Sequence, residues 1–327
     1  MDISVFEKLH AEGIIGNNSL QQIKNQSVNK NISVHWELKT ILYLGVLLLA
    51  GGLGIAIYKN IDSIGHQAIL AAIAVISASC FFYCTKNKKP FSTQKTDAPN
   101  IFFDYLLLLA CLTFASFVAY LQFQYNVFGN RYGLASFFPM LVFFFCAYYF
   151  DHLGLLSLGI TNLAAWAGIA ITPTSILREN DFNSTSIIIT GLLLGVALVA
   201  VGIATKLKKI KPHFEFTYTN FGTHLLFIAC LAALFNFNNW YLIWLLVLAG
   251  ICVFYYSKAI NEKSFYYILL LTLYGYIGLS YSFVRLLLFF ENGLGGGSIY
   301  LTLLYFIFSS FGMVMFLISM NKKLKSA

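Results

Sequence analysis

Ten stretches of continuously apolar residues, each long enough to form a membrane-spanning helix, constrain this chain more than any other feature. They lie at approximately 38–58, 65–84, 101–122, 133–150, 153–171, 185–205, 221–237, 240–257, 265–289 and 299–320. A helix needs roughly 20 apolar residues to cross a bilayer, whereas strands of a membrane barrel alternate in polarity over about 10 residues. The pattern therefore predicts an all-α polytopic integral membrane helical bundle with about ten transmembrane helices.

The composition agrees with this fold class. Of the 327 residues, 59% are hydrophobic and only 10% are charged, whereas a soluble domain carries about 25% charged residues. This excludes a soluble enzyme, a disordered tail and a secreted disulfide scaffold. The six cysteines lie in or at the ends of apolar stretches, where free cysteine behaves as a small hydrophobic residue.

Two of the breaks between stretches are very short, and we expect tight helical hairpins at both. Asp151 and His152 separate the fourth and fifth stretches, and Asn238 and Asn239 separate the seventh and eighth. We interpret Asp151-His152 as a solvated turn, with a proton-handling pair as the alternative. The polar loop at 85–99 is expected to be mobile.

The basic residues predict the orientation, because cytoplasmic flanks of membrane proteins carry an excess of lysine and arginine. With ten helices and both termini in the cytoplasm, only four of the 21 basic residues fall outside, namely Lys59, Arg131, Arg178 and Arg285. This favours a multi-pass protein of the inner (plasma) membrane. The net charge of +8 then indicates that anionic inner-leaflet lipids are the partners of the lysines beside the bilayer. It does not indicate a nucleic-acid partner.

The N-terminal segment, residues 1–37, is the only substantial part predicted outside the bilayer. Val5 and Leu9 indicate one short helix, and Gly13 stands where a helix end favours a positive φ. A second short helix follows. Two such helices cannot bury a core alone, so we expect them to pack on the membrane domain or to dock a protein partner. The expected domains are 1–37, a transmembrane domain at 38–320 and a basic tail at 321–327.

Polar and ionisable side chains inside the apolar stretches are the candidate ligand-binding residues, because such groups are costly in hydrocarbon. The ninth stretch carries Tyr274, Tyr281 and Arg285. A spacing of four places Tyr281 and Arg285 on one helical face, where they could hold an anionic group. The other candidates are Asp104 in the third stretch and His224 near the inner end of the seventh.

Arg285 also has a structural interpretation, as the partner of Glu291 or Asp62. No known catalytic, nucleotide-binding or metal-binding motif is present, so the sequence predicts no catalytic residues, no metal ligands and no cofactor. An integral membrane enzyme built from scattered loop residues is retained as a third interpretation.

The beginning of the chain, from Phe6 to about Leu70, resembles a bacterial family of predicted membrane proteins, domain of unknown function 2157. The matching segments are LHAEGII at Leu9–Ile15, QQI at 21–23 and LGVLLLAGGLGIAIYKN at Leu44–Asn60. The tryptophan of the family pattern after this last segment is replaced by Ile61. The resemblance implies a polytopic membrane protein and no particular activity.

Two functional hypotheses follow. The first is a transporter, permease or flippase with a site in the helix bundle. It is favoured by the span number and by a short internal similarity between residues 45–52 and 195–202, which would divide the bundle into five plus five helices. The alternative is a non-catalytic membrane scaffold or sensor subunit of a larger complex, which docks a partner through its N-terminal helices.

Overall fold

The computed structural model describes residues 9–13, 15–19, 21, 35–59, 65–171, 184–289 and 297–326. The chain divides into two compact units, one formed by Met1–Asn60 and the other by Ile61–Ala327. In the first unit, Gly13 has a φ of 73° and donates its N–H to the His10 carbonyl at 3.0 Å. The glycine turn expected from the sequence is therefore present.

Helices form all the regular structure of the described residues, which confirms the all-α prediction. One long helix occupies each of the ten predicted stretches: α1 (His35–Lys59), α2 (His66–Asn87), α3 (Ile101–Tyr125), α4 (Leu134–Phe150), α5 (Leu153–Ile171), α6 (Thr185–Lys208), α7 (Glu215–Asn236), α8 (Tyr241–Asn261), α9 (Phe265–Phe289) and α10 (Gly297–Ser326). Short 3₁₀ turns at Pro212–Phe214 and Asn238–Trp240 precede α7 and α8.

Eight of these helices, α2, α3 and α5 to α10, are long and apolar enough to cross a membrane. The chain is therefore a multi-pass membrane protein. Helix α4 has 17 residues, which corresponds to about 25 Å at a rise of 1.5 Å per residue, against a hydrocarbon core of about 30 Å. In α1 the apolar stretch found in the described residues is the shorter Thr40–Leu49. The number of ten spans is thus approximate.

Within the second unit, consecutive helices pack against each other as hairpins. Both tight hairpins predicted from the sequence are confirmed. Helix α4 ends at Phe150, and the φ of 61° at Asp151 lets the chain reverse before α5 begins at Leu153. The 3₁₀ turn Asn238–Trp240 joins α7 to α8.

The described connections of the second unit lie at two ends. Four of them, residues 88–100, 151–152, 209–214 and 262–264, form what we call the basic end, because most of the lysines lie in or beside them. The connections at 126–133 and 237–240 form what we call the far end. Side-chain contacts described below join the connections of the basic end to one another.

Helix α7 is the centre of this unit, since it contacts α5, α6, α8 and α9. Its buried face packs against Leu248, Tyr255 and Ile268 of α8 and α9. Inside this apolar core, Thr223 is hydrogen-bonded to the Tyr255 hydroxyl at 2.7 Å. A buried hydroxyl is costly without such a partner, so this bond makes the core position of Tyr255 favourable.

Glycines bring α6 and α7 into backbone contact. A Cβ atom on Gly222 would lie 2.9 Å from the Gly195 carbonyl oxygen and 3.0 Å from the Val199 nitrogen. A Cβ atom on Gly195 would lie 3.0 Å from the Leu226 nitrogen. Small residues allow such close approach of membrane helices, and Gly195 and Gly222 provide it between α6 and α7.

We expect Gly222→Ala to destabilise the protein by about 1–3 kcal/mol, the usual range for an overpacked site, because backbone atoms cannot turn away as a side chain can. The measurement is the free energy of unfolding of the purified protein in mixed micelles with increasing dodecyl sulfate. Gly250→Ala in α8 is the matched control, since a Cβ atom there meets nothing within 4 Å. Equal stability of the two variants would contradict a backbone contact between α6 and α7.

Candidate functional site

Arg285 and Tyr281 lie on one face of α9 at the far end, as their spacing of four predicted. Arg285 Nη1 donates to the Tyr281 hydroxyl at 3.3 Å. The same guanidinium donates to the side-chain oxygen of Asn238 at 3.0 Å and to its carbonyl at 2.9 Å. It also lies over the Tyr241 ring, 4.2 Å from the centroid. These contacts join α9 to the turn between α7 and α8.

The ion-pair interpretation of Arg285 involved Glu291 and Asp62, and both residues lie outside the described part of the chain. Within the described ranges, the ion pairs join other residues. The groups that Arg285 contacts there are the neutral oxygens of Asn238 and Tyr281. The arginine therefore has a structural role at this turn, whatever it binds in addition.

His224 and Tyr274 form a second pair, between α7 and α9. His224 Nδ1 lies 2.7 Å from the Tyr274 hydroxyl, and Nε2 lies 3.0 Å from the Tyr266 hydroxyl. The Tyr266 hydroxyl donates to Asn220 Oδ1. It must then accept from His224 Nε2–H, and Nδ1 accepts from the Tyr274 hydroxyl. These hydrogen bonds link α7 to α9, and we call them the His224 network.

The expectation that His224 lies near the end of its helix is wrong. Helix α7 begins at Glu215 rather than near residue 221, so His224 is its tenth residue. The polar residues before position 221 did not fit an apolar pattern, but several of them have partners inside the bundle. Tyr218, for example, is hydrogen-bonded to the Tyr148 hydroxyl at 3.1 Å.

Asp104 lies apart from both pairs, in the first turn of α3. Asn100 caps this helix by accepting the Phe103 N–H at 2.9 Å. A carboxylate in the first turn interacts favourably with the helix dipole, which gives Asp104 a structural explanation. Helix α3 starts at the basic end, whereas Arg285 lies at the far end. The five candidate residues therefore form two separate pairs and one isolated carboxylate.

The strongest polar cluster was not predicted, and it is centred on Asp151 at the basic end. Asp151 Oδ2 accepts the Thr96 N–H at 2.6 Å and lies 3.0 Å from Lys211 Nζ. Asp151 Oδ1 lies 2.5 Å from His213 Nε2. The side chains of Asp151 and Lys211 are only 2% and 1% exposed. We call these four residues the Asp151 latch, since they join three different connections.

The interpretation of Asp151-His152 as a solvated turn is therefore wrong. His152 is also buried, and its Nδ1 accepts the Leu155 N–H at 3.1 Å at the start of α5. The turn is buried because the 88–99 loop packs over it. This packing satisfies the carboxylate, which would be very costly to bury alone.

The latch also holds the 88–99 loop, in contrast to the mobile loop that its polar sequence suggested. The Lys211 N–H donates to the Thr93 carbonyl at 2.7 Å, and Lys211 Nζ donates to the Gln94 carbonyl at 3.4 Å. Within the loop, Lys89 Nζ donates to the Asp97 carbonyl at 2.8 Å. A cavity of about 20 Å³ lies between the loop and Asp151, which is room for one water molecule.

A second ionic network at the basic end joins α6, α7 and α8. Lys258 Nζ lies 3.1 Å from Glu215 Oε1, and Lys206 Nζ lies 3.1 Å from Glu262 Oε1. Lys258 also lies 3.8 Å from Glu262. Together with the latch, this network pairs the carboxylates of Asp151, Glu215 and Glu262 with basic side chains of the same end.

One sequence signal could have revealed the latch. Asp151 and the pair Lys211 and His213 all lie in short connections predicted on the same side of the membrane. Charged side chains in such connections stay close to the helix ends, because each connection is short and is attached to a helix on both sides. The pairing itself depends on which hairpins are neighbours, and that information is absent from the local sequence.

We expect Asp151→Asn to release the 88–99 loop and to lower the free energy of unfolding by about 3–5 kcal/mol, as when one partner of a buried ion pair is removed. An asparagine side chain has only one acceptor oxygen. Its NH₂ group would therefore face another donor, either the Thr96 N–H and Lys211 on one side or His213 on the other. The measurement is hydrogen exchange of peptides covering 88–99, together with unfolding in dodecyl sulfate. Asp97→Asn is the control, because that side chain is exposed. Unchanged exchange in Asp151→Asn would disprove the latch.

Comparison with known proteins adds a family match over the first part of the chain. Residues 7–156 match the model of a family described as predicted membrane protein (DUF2157). This range includes α2, α3 and α4, so the match extends well beyond the residues that carry the resemblance in the sequence. It confirms the resemblance for the N-terminal region. No curated protein matches the chain, and no solved structure matches it.

Proposed function

We propose that this multi-pass protein, with its DUF2157 match over residues 7–156, is a non-catalytic scaffold subunit of the inner (plasma) membrane. In this role the helical bundle anchors the protein, both termini lie in the cytoplasm, and residues 1–37 dock a partner protein. The proposed role is to assemble a complex and not to catalyse a reaction, so the proposal includes no cofactor and no substrate.

The observation that carries the proposal is that four of the five candidate ligand residues bond to the protein itself. Both ring nitrogens of His224 face tyrosine hydroxyls, one of them from Tyr274. The guanidinium of Arg285 bonds to Tyr281 and to the α7–α8 turn. Such pairing is what a polar group inside a structural bundle requires. A transport site would need these groups to exchange their partners for substrate.

The N-terminal residues support the docking role. Met1–Asn60 form a compact unit of their own. In this unit the Gly13 turn follows the helical residues 9–11, and His10 Nε2 lies 2.5 Å from Asn17 Oδ1 beyond the turn. A short helical element outside the apolar stretches cannot bury a core by itself, so contact with a partner would stabilise it.

The basic end supports the proposed orientation. Its connections contain or adjoin ten lysines, at positions 86, 88, 89, 95, 206, 208, 209, 211, 258 and 263, whereas the described far-end connections contain Arg131 and are contacted by Arg285. Because lysine and arginine accumulate on the cytoplasmic side, the basic end is the proposed cytoplasmic end.

We expect reporter fusions to follow this charge asymmetry. Alkaline phosphatase fused after Lys89 should be inactive, because it stays in the reducing cytoplasm, and phosphatase fused after Asn130 should be active. A fluorescent protein fused after Ala327 should fluoresce. Enzyme activity per fused chain is the measurement. An active fusion after Lys89 together with an inactive one after Asn130 would reverse the orientation.

A transporter or flippase is the second candidate, and the His224 network is the observation that favours it. His224, Tyr266 and Tyr274 are each only partly buried, although they lie within helices that are long enough to span the membrane. Partly exposed polar groups at such depth often mark substrate paths. In that case the network would open to admit a polar substrate.

Deletion of residues 1–30 distinguishes the two functions. For a scaffold, we expect the truncated protein to lose its partner while the unfolding curve of the membrane domain stays unchanged, because residues 1–30 belong to a different compact unit from helices α2 to α10. The measurement is in-membrane cross-linking of tagged protein, followed by mass spectrometry and repetition with the purified partner.

Two point variants provide a matched control. Leu9→Glu places a charge on the expected docking face and should act like the deletion, whereas Glu12→Gln changes an exposed residue and should keep the partner. If the deletion and Leu9→Glu both retain every partner that the full chain binds, the N-terminal docking role is wrong and the transporter becomes the better proposal.

A further inference from the structure

The 88–99 loop presents lysines on a fixed backbone at the membrane interface. It connects the end of α2 to the start of α3, and both helices are long enough to span the membrane. Lys88, Lys89 and Lys95 are exposed. The Thr96 N–H bond to Asp151 ties this loop to the end of α4, so its lysines stay near the helix ends, where lipid headgroups would lie.

The 88–99 loop holds three lysines and one exposed carboxylate, Asp97, which offsets only one of their charges. Other carboxylates of the basic end have partners elsewhere. Asp151, Glu215 and Glu262 are engaged in the latch and in the second ionic network. Lys89 bonds to a backbone carbonyl of the loop, and Lys88 lies 4.2 Å from the centroid of the Tyr149 ring. Both contacts leave the positive charge uncompensated. The loop therefore carries a local excess of positive charge.

Aromatic side chains accompany the lysines. Phe91 is 58% exposed within the loop, and Phe102 is 69% exposed at the start of α3. An exposed phenylalanine is unfavourable in water, but it is favourable where it inserts among acyl chains near the headgroups. Lysine beside exposed aromatic residues is a pattern typical of segments that bind the surface of an anionic bilayer.

We propose that the 88–99 loop is a binding site for the phosphate groups of anionic phospholipids, and that the Asp151 latch holds the loop in its binding shape. Lys88, Lys89 and Lys95 contact the phosphate, and Phe91 enters the acyl region. The proposal needs only a membrane-embedded chain. It does not depend on the scaffold role or on the orientation.

The first experiment compares lysine variants by native mass spectrometry of the full chain released from detergent micelles. The probes are phosphatidylglycerol, phosphatidylcholine and inorganic phosphate. Lys88→Gln, Lys89→Gln and Lys95→Gln are combined in one variant. At roughly fivefold per lysine, this variant should bind phosphatidylglycerol about 100-fold more weakly, with phosphatidylcholine unchanged. The control combines Lys208→Gln, Lys322→Gln and Lys325→Gln, three exposed lysines outside the loop.

The second experiment separates a shaped site from simple charge attraction. Asp151→Asn and Asp97→Asn each add one positive charge to the basic end. Charge attraction alone predicts equal or tighter binding of phosphatidylglycerol by both variants. A loop shaped by the latch predicts binding at least about fivefold weaker for Asp151→Asn, since Asp151 accepts the loop N–H of Thr96, and no weakening for Asp97→Asn.

Three results would overturn the proposal. Equal losses in the loop variant and in its lysine control would show a diffuse charge effect. Equal binding by Asp151→Asn and Asp97→Asn, with both proteins folded, would remove the role of the latch. Inorganic phosphate that competes fully with phosphatidylglycerol at equal concentration would identify a soluble phosphate as the ligand. If Asp151→Asn does not fold, the lysine variants decide the lipid site.

Discussion

The structure depends on one constraint, which is that hydrocarbon offers no hydrogen-bonding partner. Each backbone N–H and C=O in a span must be satisfied within the chain, and continuous helices do this. The same constraint applies to side chains. His224 bonds to tyrosine hydroxyls through both ring nitrogens, and Thr223 bonds to Tyr255 in the apolar core. Polar residues in the bundle are therefore explained first by pairing with one another.

At the basic end the constraint acts on charge. Asp151 is almost fully buried, and its two oxygens are taken up by Thr96, Lys211 and His213. These partners come from two connections and Asp151 lies in a third, so burial of one carboxylate joins three connections at the basic end. A rigid end with exposed lysines is suited to contact with headgroups and with partner proteins. The proposed lipid site uses this rigidity and leaves the interior of the bundle unchanged.

Much of the fold could be predicted from the sequence, because hydropathy is a local property. Every predicted stretch contains a helix, and both tight hairpins are present. The start of α7 was missed because its first turns are polar, with Tyr218 bonded to Tyr148. In the candidate site, Arg285 and Tyr281 were paired correctly, since i and i+4 neighbours follow from helix geometry. His224 and Tyr274 are 50 positions apart and lie on different helices, so the geometry of a single helix could not reveal their contact.

The sequence by itself determined that the chain crosses a membrane several times and that the lysines of the second unit collect at one end, because both depend only on which residues lie in each apolar stretch or between two of them. Tertiary structure decided how the polar groups pair. The contacts of Asp151 with Thr96 and His213 span 55 and 62 positions. They exist only because three hairpins pack side by side, at distances set by close contacts such as the one between Gly195 and Gly222. The polarity of each side chain can be read from the sequence. Its hydrogen-bond partner inside the membrane is supplied by a neighbouring helix or connection, which only the tertiary structure brings close.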